Sequence, residues 1–140
     1  MLLLSRNGGT TLHLAAIKGQ QQSINILVNH RRTDINIVDS WQMSPLHHAC
    51  EKGQVEVIKE LLRVSSKSVD ILDSQQRSPL HHACDKGNVE VVKELLRVST
   101  KGIDALDADC RSPFGSAVQR RQLTTANHLL PLTSLSSICW

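Results

Sequence analysis

Histidine, cysteine and carboxylate side chains bind metals and move protons, and this sequence clusters them twice. Residues 44–53 read SPLHHACEKG and residues 78–87 read SPLHHACDKG. Two imidazoles and a thiol so close together could belong to a zinc site, which needs four ligands at about 2.0–2.3 Å. They could form a Cys–His nucleophile pair. They could also be the fixed part of a structural repeat, and the elements that carry them decide between these readings.

A shift of the sequence against itself by 34 residues aligns Ser44–Arg77 with Ser78–Arg111, with 24 of 34 positions identical. The same shift reaches TTLHLAAIKG (10–19) upstream and SPFGSAVQRR (112–121) downstream. Four units result, about 5–38, 39–72, 73–106 and 107–140. The outer two are degenerate, as in a stacked array whose terminal units have one neighbour each.

Within a unit, Ser44 is placed to cap a helix with Pro45 at its first position, where the missing N–H costs nothing. Gly53 closes that helix in the left-handed conformation. Two turns are too few to stand alone. A second helix is predicted from about Val55 to Val64, with Val57, Ile58, Leu61 and Leu62 on one face and Val91, Val92, Leu95 and Leu96 in the next unit. Its polar side, Glu56, Lys59, Glu60 and Arg63, reads as a solvated face. Leu4, Val38, Leu72 and Leu106 share one register in the loop that follows, and an apolar residue is expected to be buried there in every unit. Asp70 with Asp73, and Asp104 with Asp107, recur at the same loop, where Asn36 and Asp39 stand in the second copy; turn formation explains them.

SPLHHACEKGQVEVIKELL resembles the ankyrin repeat, T-P-L-H-x-A-A, then Gly, then E-V-V-x-L-L-L, then D-V-N. Ser44 stands for the Thr, followed by Pro45, Leu46, His47, Ala49 and Cys50, then Gly53, Glu56, Val57, Ile58, Leu61 and Leu62, with Val69 and Asp70 for V-N. The match covers nearly the whole chain. It implies an all-α solenoid, one domain of stacked helix-turn-helix units with short β-hairpin-like loops projecting at right angles. His13, His47 and His81 fall on the family's histidine, whose ring bridges to backbone of the hairpin and the adjacent unit. His48 and His82 hold the next position and are expected to pack between helices, and Cys50 and Cys84 to act as small hydrophobes.

Metal ligation and catalysis are then not expected. Successive units are roughly 10 Å apart, the separation of packed helices, so donors from different units should not converge. A catalytic pair is needed once, yet this one recurs. No cofactor and no enzymatic activity are assigned.

The resemblance places partner binding on a concave face made of hairpin tips and the exposed side of each first helix. The residues mapped there are Ser40, Trp41, Met43, Glu51 and Lys52 at one junction, Ser74, Gln75, Arg77, Asp85 and Lys86 at the next, and Ala108, Asp109, Arg111, Gln119 and Arg120 at the third. Trp41 leads them, because Trp and Arg are enriched among binding hot spots. The chain is expected to be a non-catalytic protein-interaction module: a scaffold, adaptor or stoichiometric inhibitor. The alternative is a regulatory or tethering segment of a larger enzyme or channel.

The sequence departs from the family pattern where Gln42, Gln76 and Cys110 replace the hairpin Gly, present as Gly8, so altered turns are expected at those three tips. The loop after the second helix is one residue longer. Gly115 replaces the bridging His of the fourth unit and Arg121 its helix-ending Gly.

Composition agrees. Aromatics are 2% of the chain, so Leu, Ile, Val and Ala must fill the interior, which favours helices. A net charge of +3 with alternating signs does not imply nucleic acid. Four cysteines are too few for a disulfide scaffold. No stretch approaches the ~20 apolar residues of a membrane span, and Met1–Leu4 lacks the features of a secretory signal. An intracellular protein, cytoplasmic or nuclear, is expected, either a monomer or a fragment of a longer array, with another protein as partner. Both ends are apolar, and Leu132, Leu135, Ile138 and Trp140 are candidates to fold back over the last helix pair.

Overall fold

The structure, a computed structural model, describes residues 10–30 and 34–132. These residues form eight α-helices: α1 (Thr11–Lys18), α2 (Gln21–Val28), α3 (Pro45–Lys52), α4 (Val55–Val64), α5 (Pro79–Lys86), α6 (Val89–Val98), α7 (Pro113–Gln119) and α8 (Leu123–Leu129). Short 3-10 segments at Ser66–Asp70 and Lys101–Asp104 take up the longer loops after α4 and α6. No helix among the described residues is long and apolar enough to cross a membrane.

The local sequence sets these bounds. Ser44, Ser78 and Ser112 hold extended backbone and cap α3, α5 and α7, each with Pro as the next residue. Gly19, Gly53 and Gly87 end α1, α3 and α5 at φ of 69–70°, where a side chain is disfavoured. A Cβ at Gly53 would also collide with the side chain of Asn88 in the next unit.

First helices stack in one row, α1 on α3 on α5 on α7, and second helices in another, α2 on α4 on α6 on α8. Neither helix of a pair could bury its apolar stripe alone. Together they form one core in which Ile24, Leu46, Ile58, Leu61, Val91, Val92 and Leu129 are fully enclosed, each contributing about 1.5–3 kcal/mol from burial.

The connecting hairpins stack as well. In each, an aspartate pairs its backbone N–H with the carbonyl four residues on: Asp39 with Met43 (3.0 Å), Asp73 with Arg77 (3.0 Å) and Asp107 with Arg111 (2.9 Å). Adjacent hairpins are joined by Ser74 N–H to the Trp41 carbonyl (3.0 Å) and Ala108 N–H to the Gln75 carbonyl (2.9 Å). At the tips Gln42, Gln76 and Cys110 take the glycine conformation at φ of 61–62°, so the turn is retained and the side chain bears the strain.

Two sequence expectations fail here: the three tips do not have altered turns, and the loop residues expected to be buried are not. Leu72 and Leu106 are 46% and 50% exposed and Val38 is half-buried; Leu4 lies outside the described residues. The residues buried from this loop are three positions earlier: Ile35 and Ile103, with Val69 packed against the core beside them. The extended chain then alternates, so that Leu72 and Leu106 face outward while Asp73 and Asp107 turn in. The candidate fold-back residues Leu135, Ile138 and Trp140 lie outside the described residues, and Leu132 is exposed.

Candidate functional site

The first histidine of each cluster belongs to a helix cap. Ser44 N–H donates to His47 Nδ1 (3.1 Å), and the Ser44 hydroxyl lies 2.8 Å from the same nitrogen. With Nδ1 accepting, Nε2 carries the proton and donates to the Arg77 carbonyl in the next hairpin (3.1 Å). The arrangement repeats at His13, between Thr10 and the Met43 carbonyl (2.9 Å), and at His81, between Ser78 and the Arg111 carbonyl (2.9 Å). Each ring therefore ties its own helix start to the following unit. Burial makes the charged form costly and lowers all three pKa values, with His47 at about 4, where the neighbouring His82 adds to the effect.

The second histidine pairs with the hairpin aspartate of its own unit. His48 Nε2 lies 2.7 Å from Asp39 Oδ2, and His82 Nε2 lies 2.8 Å from Asp73 Oδ2. The other carboxylate oxygen accepts two hairpin N–H groups, Trp41 and Met43 at Asp39, Gln75 and Arg77 at Asp73. Burial raises the pKa of a carboxyl, but here the imidazole and the two N–H groups outweigh it and hold Asp73 at about 2. Asp39 is lowered for the same reasons. Asp107 makes the same two N–H contacts, but Ser116 stands in place of a second histidine, and Arg77 approaches the free side of the carboxylate (3.7 Å).

Across the first two junctions the rings meet. His13 and His48 lie edge to face with centroids 5.5 Å apart, as do His47 and His82. The donor atoms of His13, Asp39 and His48 all lie within 4.8 Å of one another, and so do those of His47, Asp73 and His82. This corrects the expectation that stacking keeps donors of different units apart. The hairpin aspartate and second histidine of one unit reach back to the first histidine of the unit before. Both ring nitrogens of that first histidine are committed to protein hydrogen bonds, so a metal at either cluster would displace the bond that joins the units. The thiols of Cys50 and Cys84 are fully buried and their pKa values pushed up by burial, which opposes thiolate chemistry.

The residues mapped to the concave face divide into two sets. Trp41 is 49% exposed, Lys52, Gln75, Lys86 and Asp109 are exposed, and Met43 and Glu51 are half-buried. The Arg77 side chain is only 16% exposed, set between Asp85 (3.5 Å) and Asp107 and donating to the His81 carbonyl (3.3 Å). Asp85 is held in turn by Arg120 (3.3 Å). Arg111 contacts Asp109 (3.0 Å) and Gln119. These links join hairpin side chains to first-helix ends, which places both on one surface.

No curated protein matches the chain. A family model described as ankyrin repeats, in three copies, matches residues 2–71 and again 56–136. Two overlapping matches across nearly the whole length agree with paired helices stacked in two rows and a capping histidine bridging each unit to the next, and the chain belongs to the ankyrin-repeat family.

Proposed function

We propose that this chain is a non-catalytic protein-interaction module that binds another protein on the concave face of hairpin tips and first helices. In this reading the two His–Asp–His clusters are junctions between units, not metal or catalytic centres. The supporting observation is Trp41. Its backbone is fixed by Asp39 and by the next hairpin, yet its indole is half exposed at the tip. A rigid, solvent-facing aromatic loses little entropy on binding and gains much contact area. Among the described residues the three cysteines are free, which suits a reducing compartment.

The test is affinity capture from native cell extract with the wild-type chain and Trp41→Ala. Loss of the same binder at an unchanged melting temperature supports the assignment, and equal capture refutes it. Arg77→Ala is unsuited to this test, because Arg77 is held within the fold by two carboxylates and its loss would act through stability.

A further inference from the structure

The first helices end on a row of cations. Lys18, Lys52 and Lys86 are the last residues of α1, α3 and α5, and Arg120 follows α7 at the matching position, each 34 residues from the next and all exposed. A lysine in the last turn complements the helix dipole, which accounts for the charge of each helix end and not for its lack of partners. On the second helices, Lys59, Arg63, Lys93 and Arg97 each contact a glutamate three residues before them, so four bases meet four acids and that surface is balanced. Among the described residues Lys18, Lys52 and Lys86 form no ion pair. The acid beside Lys86, Asp85, is engaged by Arg77 and Arg120 instead, and the Arg120 side chain remains 61% exposed.

The spacing of the row is set by the stack, roughly 10 Å between packed helices. A peptide in the extended polyproline II conformation rises about 3.1 Å per residue with three residues per turn, so every third side chain of a segment laid along the stack faces the same way and comes level with one cation. We propose that the concave face docks an acidic, extended segment of a partner protein. Carboxylates three residues apart meet Lys18, Lys52, Lys86 and Arg120 in turn, while an apolar side chain of the segment covers Trp41. This rests on the concave face being the docking surface. A peptide fits better than a nucleic acid for two reasons. Single-strand binders stack successive bases on several aromatic platforms, and Trp41 is the one aromatic mapped to this face. Glu51 also lines it beside Lys52, with Asp85 and Asp109 already paired to arginines, and a mixed peptide can place a donor against Glu51 where a uniformly charged phosphate backbone cannot.

The experiment measures fluorescence anisotropy of the full chain with a dye-labelled peptide carrying glutamate at every third position and one leucine. The comparison probes are the same composition with its glutamates contiguous, the same peptide with lysine for glutamate, and oligothymidylate. The periodic acidic peptide is expected to bind best, and to weaken as salt rises from about 50 to about 300 mM. Each lysine replaced by Gln should cost about two- to fivefold, the scale of an exposed ion pair, and Lys18→Gln, Lys52→Gln and Lys86→Gln together roughly thirtyfold. Trp41→Ala should weaken binding while leaving its salt dependence unchanged. Equal affinity for the lysine probe, for the contiguous arrangement or for the triple variant overturns the proposal, and oligothymidylate binding as tightly assigns the row to phosphate. Capture from cell extract separates the two readings. A partner kept by the triple variant and lost by Trp41→Ala sinks the acidic segment and leaves the docking face standing. A partner kept by both variants sinks the face as well.

Discussion

At the scale of the residue, burial of His13, His47 and His81 makes the protein sensitive to acid. The folded pKa of His47, about 4, lies below the unfolded value of 6.5. Between those pH values the unfolded chain binds the proton and the folded chain does not, so stability falls as pH drops from about 6.5 towards 4. Asp73, at about 2 when folded, adds a loss of opposite origin, its stabilisation disappearing as pH falls from about 3.8. Urea midpoints should therefore fall steadily from pH 7.5 to 4.5, with the His47 ring resonance unshifted above pH 5; a midpoint near 6.5 for that ring would refute the bridge. The Asp73–His82 contact is tested by a double-mutant cycle. His82→Leu strands a buried carboxylate oxygen and should cost about 1–3 kcal/mol, with a coupling to Asp73→Asn of about 1 kcal/mol; strictly additive losses would show the contact to be idle. The sequence announces the first histidine through its cap, but the second reads as packing. Its partner is nine residues away in the hairpin, and the one signal is that units two and three carry both His and Asp, while unit four has Ser116 beside Asp107.

At the scale of the element, the four non-glycine residues in the left-handed region carry a removable strain. Gln42, Gln76, Cys110 and Arg121 hold φ of 58–62°, a conformation costing an L-residue roughly 1–2 kcal/mol, partly offset by the greater unfolded freedom of glycine. Each Gln→Gly change at the tips, and Arg121→Gly after α7, should raise stability by about 0.5–1 kcal/mol in urea denaturation, while Gly53→Ala should lower it by more than 1 kcal/mol. A loss of stability in all three glycine variants would mean that these positions do not need this turn. Helices were the most legible elements, because caps, Pro and Gly act within a few residues; the stretch expected as helix, Val55–Val64, is α4 as observed. The following loop was less legible. A run such as Val69–Asp73 alternates its faces, and only the packing shows that Val69 faces the core while Leu72 faces solvent.

At the scale of the whole molecule, stability should behave as a sum over units and their junctions, since each unit touches only its neighbours. Three junctions carry a histidine bridge, from His13, His47 and His81. The fourth unit has Gly115 in that place, ends α7 on a strained Arg121 and finishes with a seven-residue α8 that leaves Leu123 and Leu130 exposed. Opening should therefore begin there. Native-state hydrogen exchange is expected to give lower opening free energies for α7 and α8 than for α3 to α6. Truncation separates this from uniform cooperativity. Leu61→Ala, in the centre, should cost about 2–5 kcal/mol and reduce protection across all the described helices, because it cuts the array in two. Leu129→Ala removes as buried a side chain and should release α7 and α8 while leaving α3 to α6 near their original protection. Equal loss from both variants in every helix would show that the chain folds as one indivisible core, and that bridging histidines do not set the order in which units part.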